Sequence, residues 1–165
     1  MIQRSFRQSA EHNFADLDTD GDGYLTRYDY MALAQRRLQQ AGVTADTPEG
    51  EAVVDAFRNA WDTHVRALDL DRDGRISKDE YVRSFEALVS DGSLDSVLTP
   101  ISEATFALID RDRDGWITPE EFGSVWNRPG ADLTSAFARA DADGDGLISV
   151  EEYTRARRGL LIGEA

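Results

Sequence analysis

Acidic residues recur at one spacing four times in this chain. Asp18, Asp20, Asp22 and Asp29 are repeated as Asp69, Asp71, Asp73 and Glu80, as Asp110, Asp112, Asp114 and Glu121, and as Asp141, Asp143, Asp145 and Glu152. In each 12-residue stretch an acid holds positions 1, 3, 5 and 12, and a glycine (Gly23, Gly74, Gly115 or Gly146) holds position 6. Alternating carboxylates ahead of a forced turn bring several oxygens to one point. A hard divalent cation needs that arrangement, and calcium takes about six to eight oxygens on a bent loop. Position 7 would add a backbone carbonyl, from Tyr24, Arg75, Trp116 or Leu147. One such match can arise by chance; four with every acid in place do not.

The charge balance supports the same chemistry. The chain has 165 residues and a formal net charge of −14. Positions 1, 3, 5 and 12 of the four loops hold half of its 32 acidic residues, so the rest of the chain carries 18 basic against 16 acidic side chains. Four divalent cations would bring the net charge from −14 to −6. The empty loops should repel themselves and tighten on binding metal. A net charge this negative excludes nucleic acid as a natural partner. Cysteine is absent, so disulfides, zinc thiolates and cysteine nucleophiles are excluded. No glycine-rich phosphate loop, nucleophile elbow or catalytic His–Asp pair occurs, so neither an enzyme nor a further cofactor is expected. His12 and His64 read as solvated or partly packed side chains and not as ligands.

The loops differ in ways that should grade them. Position 12 is Glu in three loops, long enough to chelate through both oxygens, but Asp29 in the first is one methylene shorter. The first loop is therefore expected to be the weakest calcium site and the one most open to magnesium. Arg72, Arg111 and Arg113 reduce the negative potential of loops two and three, whereas loop four has Gly144 at position 4 and no basic residue. Loop four is expected to be the strongest, with three to four calcium ions per chain.

Helical patterns must position these loops. Ile2, Phe6, Ala10, Phe14 and Leu17 form one apolar stripe before the first loop, and Val53, Phe57, Trp61, Val65 and Leu68 form another before the second. Phe14, Val65, Phe106 and Phe137 stand four residues before their loops; Tyr30, Tyr81, Phe122 and Tyr153 stand immediately after. Thr26, Ser77, Thr118 and Ser149 are placed to cap the exit helices, with Pro119 at a first helical position. Leu25, Ile76, Ile117 and Ile148 at position 8 are placed to join adjacent loops as short antiparallel bridges. Breaks are expected at 42–50, 91–100 and 127–130, where Gly and Pro cluster.

These loops resemble EF-hands over nearly the whole chain. Their starts are spaced unevenly, with a long first connection, and this resembles the sarcoplasmic calcium-binding proteins and their bacterial relatives of the calerythrin type. The resemblance implies a compact cytosolic protein acting largely as a calcium buffer. The sequence departs from that pattern by keeping its acids in all four loops. The expected fold is all-α: four helix–loop–helix units in two pairs, residues 1–90 and 91–165, in one body. The expected function is reversible calcium binding as a cytoplasmic buffer or transporter, with a groove-opening sensor as the alternative. The N-terminus reads as helix and not as a secretory signal, and no membrane span, no indicated protein target and a monomer are expected. Met31 is the only methionine after Met1, against the Met-rich groove of a sensor. Phe57, Trp61, Phe85 and Trp126 are expected in the core, and Leu160, Leu161 and Ile162 are expected to fold back onto the body.

Overall fold

Each entering helix stops for the same reason: its loop's first aspartate uses its side chain elsewhere. α1 (Ile2–Leu17), α3 (Pro48–Leu68), α5 (Leu94–Ile109) and α7 (Leu133–Ala140) end one residue before Asp18, Asp69, Asp110 and Asp141. The amide of each of these still donates to the carbonyl four residues back, on Phe14, Val65, Phe106 or Phe137, at 2.8–3.3 Å. Its carboxylate then turns forward to accept from the loop's own amides, and the chain leaves the helix. The exit helices α2 (Arg27–Ala41), α4 (Lys78–Ser90), α6 (Pro119–Val125) and α8 (Val150–Ile162) begin directly after Thr26, Ser77, Thr118 and Ser149. The structure, a computed structural model, describes residues 2–125, 130 and 132–162, with side chains at 7–96, 98–124, 130 and 132–162.

Two-residue strands join the loops in pairs. β1 (Tyr24–Leu25) runs antiparallel to β2 (Ile76–Ser77), with Leu25 opposite Ile76. Ile117 and Ile148 exchange both backbone hydrogen bonds, at 2.9 and 3.0 Å. All four position-8 side chains are fully buried. The aromatics flanking the loops cross between hands. Phe14 before loop one meets Tyr81 after loop two at 5.7 Å between ring centroids, Phe106 meets Tyr153 at 6.0 Å, and Phe137 meets Phe122 at 5.6 Å. Each hand thus supplies half of its partner's core, so one hand alone would leave an apolar face in water.

The first core gathers Ala10, Phe14, Val53, Phe57, Trp61 and Phe85 with the first pair's loop residues. It also takes Leu94, Leu98, Ile101 and Leu108 from α5, and Leu161 and Ile162 pack on it from the end of α8. Phe106 and Ile109 belong instead to the smaller core of the second pair. α5 therefore serves both cores and makes one all-α body of the two pairs. Of the apolar tail, Leu161 and Ile162 fold back as expected, held by Asn13 Nδ2 donating to the Leu161 carbonyl at 3.0 Å, while Leu160 is exposed. Trp126 and the break at 127–129 lie outside the described residues.

One expected break is shorter than the sequence suggests. α5 begins at Leu94, so Pro100 lies inside it. A mid-helix proline costs roughly 3 kcal/mol, and burying Leu94, Leu98 and Ile101 around it is worth more. Among the described residues, no helix is long and apolar enough to cross a membrane.

His64 on α3 is packed between helices. Its Nδ1 hydrogen-bonds with the buried Tyr30 hydroxyl, and the two rings meet edge-on at 5.4 Å. Burial lowers its pKa from 6.5 to about 4. The unfolded chain takes up a proton below about pH 6.5 that the folded chain refuses until about pH 4, so stability falls across that window as pH drops. The full loss is about 3 kcal/mol. Denaturant unfolding at saturating calcium should show wild type losing stability relative to His64→Gln between pH 6.5 and 4; parallel pH profiles would remove His64 as the cause.

Candidate metal centres

The four loops are congruent because their carboxylates organise the backbone that carries them. At position 1, Asp18 Oδ2, Asp69 Oδ2, Asp110 Oδ2 and Asp141 Oδ2 each accept from the position-6 glycine amide at 2.9–3.0 Å. Position-3 Oδ1 accepts from the position-5 amide, and position-5 Oδ1 accepts from the position-7 amide, in every loop. The glycines at position 6 have φ between 83° and 89°, where a Cβ would be strained. Each loop gathers a group of carboxylates with one oxygen apiece within 4.8 Å of the others. The groups are Asp18, Asp20 and Asp22; Asp69, Asp71 and Asp73; Asp110, Asp112 and Glu121; and Asp141, Asp143 and Glu152.

The position-12 acid spans its loop. One oxygen of Glu80 accepts from the amides of Leu70 and Asp71, the other from the Ser77 amide and hydroxyl. Glu121 and Glu152 repeat this with Arg111 and Thr118, and with Ala142, Asp143 and Ser149. For Glu80 and Glu121 burial pushes the pKa up, but these donors outweigh it and the pKa is lowered; for Glu152 the Ser149 amide is the largest cause of the same lowering. Asp29 is lowered too, its burial outweighed by the donors on Thr26 and Thr19. Position 3 goes the other way in loops one and two. At Asp20 and Asp71 a backbone amide pulls the pKa down, but partial desolvation and the neighbouring carboxylates push it further up.

The donor set fits a hard cation. It is all oxygen, with carboxylates crowding one another, and Asp110 Oδ1 is buried with no hydrogen-bond partner. A buried anionic oxygen without a donor is costly unless a positive charge faces it, and a metal ion supplies that charge. A family model describing an EF-hand domain pair matches residues 6–86 and 99–158. The chain belongs to the EF-hand family.

Its relatives agree. It is 28% identical to calerythrin of Saccharopolyspora erythraea over 152 residues, covering 88% of this chain and 86% of that protein. It is 26% identical to the sarcoplasmic calcium-binding protein of Hediste diversicolor, covering 78% and 72%. Among solved structures it superposes on a Streptomyces coelicolor calcium-binding protein with TM-score 0.81 at 25% identity, covering 97% of this chain and 99% of that one. The amphioxus sarcoplasmic calcium-binding protein, at 19% identity and TM-score 0.73, shares the fold. The EF-hands bind calcium.

Three features of these EF-hands escaped the sequence. Thr19 at position 2 of loop one donates both its amide and its hydroxyl to Asp29 Oδ1, at 2.9 and 2.8 Å, while Asp29 Oδ2 takes the Thr26 amide and hydroxyl. The shorter acid is thus buried and held by four donors. The pairing of Thr19 with Asp29 was the available signal, since Leu70, Arg111 and Ala142 hold that position elsewhere. Arg113 forms an ion pair with Glu49 at the start of α3, tying loop three to the first pair. Position 4 is left-handed: Arg72 and Arg113 have φ of 61° and 60°, where Gly21 and Gly144 sit in the other loops.

Left-handed backbone costs an ordinary residue roughly 1 kcal/mol, which a metal-free loop recovers if it relaxes and must take on again when an ion fixes it. Asn tolerates that conformation better than Arg and removes a positive charge. Arg113→Asn should therefore tighten calcium binding at loop three by about fivefold, read from Trp116 fluorescence. Unchanged or weaker binding would show that the Glu49 ion pair matters more than the strain.

Proposed function

We propose that the chain is an intracellular, cytoplasmic calcium buffer or transporter, a monomer that fills three or four sites without opening a target groove. The side-chain oxygens of Asp18, Asp20, Asp22 and Asp29, and their counterparts in the other loops, hold the ions with the carbonyls of Tyr24, Arg75, Trp116 and Leu147. The pairs 1–90 and 91–165 are the units of binding. The observation that carries the buffer assignment is the end of α8. Leu161 and Ile162 pack on the first core, and Arg158 reaches Asp95 on α5 at 3.1 Å. A sensor exposes an apolar, Met-rich groove on binding; here α5 and α8 already cover the faces that would open.

A second reading has one specific support. The Streptomyces coelicolor protein that this chain superposes on is linked to calcium-mediated regulation, and a regulator would grip a partner.

Calorimetric titration of the metal-free protein, with and without millimolar magnesium, separates the two. A buffer should bind calcium with Kd on the order of 10⁻⁸ M and weaken in magnesium. A Kd near ~10⁻⁶ M that ignores magnesium would overturn it. Deleting residues after Arg158 should expose the first core to an apolar reporter dye, whereas calcium added to the full chain should not.

Loop one is the magnesium-prone site in this assignment, since Asp29 is one methylene shorter than the Glu at position 12 of the other loops. Asp29→Glu should raise calcium affinity at loop one about tenfold, the effect expected if about 1.4 kcal/mol of chelation is restored. Tyr24-sensitised lanthanide emission competed by calcium measures it, and no change would remove the distinction between loops.

A further inference from the structure

Loops one and two are joined by more than their backbone bridge. The Arg75 guanidinium carbon lies 4.1 Å from the centroid of the Tyr24 ring. Its Nη2 and Nε both donate to Asp73 Oδ2, at 3.0 and 3.3 Å, while the Arg75 amide donates to Asp73 Oδ1 at 2.9 Å. One flat cation therefore touches a ring of loop one and a cation-site carboxylate of loop two. Tyr24 and Arg75 each hold position 7 of their loops, on either side of the β1–β2 pairing.

Guanidinium suits this place for two reasons. Two of its rigidly spaced donors, Nη2 and Nε, converge on Asp73 Oδ2 while the Arg75 amide holds Oδ1, so one residue engages both oxygens of the carboxylate. Its face rests on an aromatic ring, which attracts cations electrostatically. Asp73 belongs to the carboxylate group of loop two. Its orientation therefore depends on where Arg75 sits, and Arg75 rests on the side chain of Tyr24, whose backbone carbonyl is assigned to the ion of loop one. The second pair has no equivalent, because its position-7 residues are Trp116 and Leu147; there the Ile117–Ile148 bridge acts without such a cation.

We infer that Arg75 is a positioning residue that couples the first two EF-hands, so that cation binding at loop one sets the orientation of Asp73 and with it the affinity of loop two. This adds a side-chain linkage to the backbone bridge and rests on the assignment of both loops as calcium sites. Coupling of this kind is reciprocal: loop two must change loop one by the same factor.

The amides of Gly23 and Gly74 donate to Asp18 and Asp69, so their NMR signals report each loop separately during a titration with calcium alone. Silencing loop one with Asp20→Asn and Asp22→Asn should weaken calcium binding at Gly74 by about fivefold in the otherwise wild-type chain. With Arg75→Gln in the background that ratio should fall below about twofold. Being a ratio, it is insensitive to any change Arg75→Gln makes in loop two itself. Tyr24→Phe keeps the ring and should keep the coupling; Tyr24→Leu should lose it, and Arg75→Lys should not restore it. The same ratio in Arg75→Gln as in wild type would overturn the inference and assign all coupling to the backbone. Gly23 and Gly74 signals that calcium does not move would overturn the loop assignment itself, and the inference with it.

Discussion

Sixteen carboxylates in four short loops, three of each loop's four gathered at one point, are the constraint under which this fold is built. Like charges within 4.8 Å of one another resist folding unless something positive meets them. The loops answer first with their own amides, turned inward at positions 5, 6 and 7. The position-12 acid then closes each loop, one oxygen on amides beside the entering helix and the other on the cap of the exit helix. The position-12 acid thereby ties the end of the entering helix to the cap of the exit helix. Amide dipoles offset only part of the repulsion. Asp20 and Asp71, pushed up by desolvation and by their neighbours, and Asp110 Oδ1, buried without a donor, mark where the remainder lies.

Packing carries that local chemistry through the molecule. A hand cannot close its own core, because its flanking aromatics meet those of its partner hand, as Phe14 meets Tyr81 and Phe137 meets Phe122. A shift at one loop therefore reaches the other through the strand pairing and the crossed rings. α5 then divides its faces between the two cores, and α8 ends against the first.

How much of this was legible in the sequence depended on whether the determinant was local. The loops and their caps follow from residues at fixed offsets, and the repeat of an apolar residue at position 8 made the Leu25–Ile76 and Ile117–Ile148 bridges legible as well. The break before Pro100 was read too long because proline's local penalty is visible in sequence, while the burial of Leu94, Leu98 and Ile101 that outweighs it is tertiary. His64 shows the same limit: its place beside the apolar stripe was legible, its hydroxyl partner on Tyr30 was not. Within the sites, Asp29 was recognisable as short, but its commitment to Thr19 depends on rotamers, and the Arg113–Glu49 and Arg75–Tyr24 contacts join segments far apart in the chain.

Thermal unfolding of the full chain across a range of potassium chloride concentrations, without divalent cations and at saturating calcium, tests the role of loop repulsion most directly. Screening should stand in partly for the missing cation. Without divalent ions Tm should rise steeply with salt, and with calcium it should be higher and nearly flat. A metal-free Tm that ignores salt would mean that the amides and the position-12 acids already balance the charge, and that repulsion does not link calcium to folding.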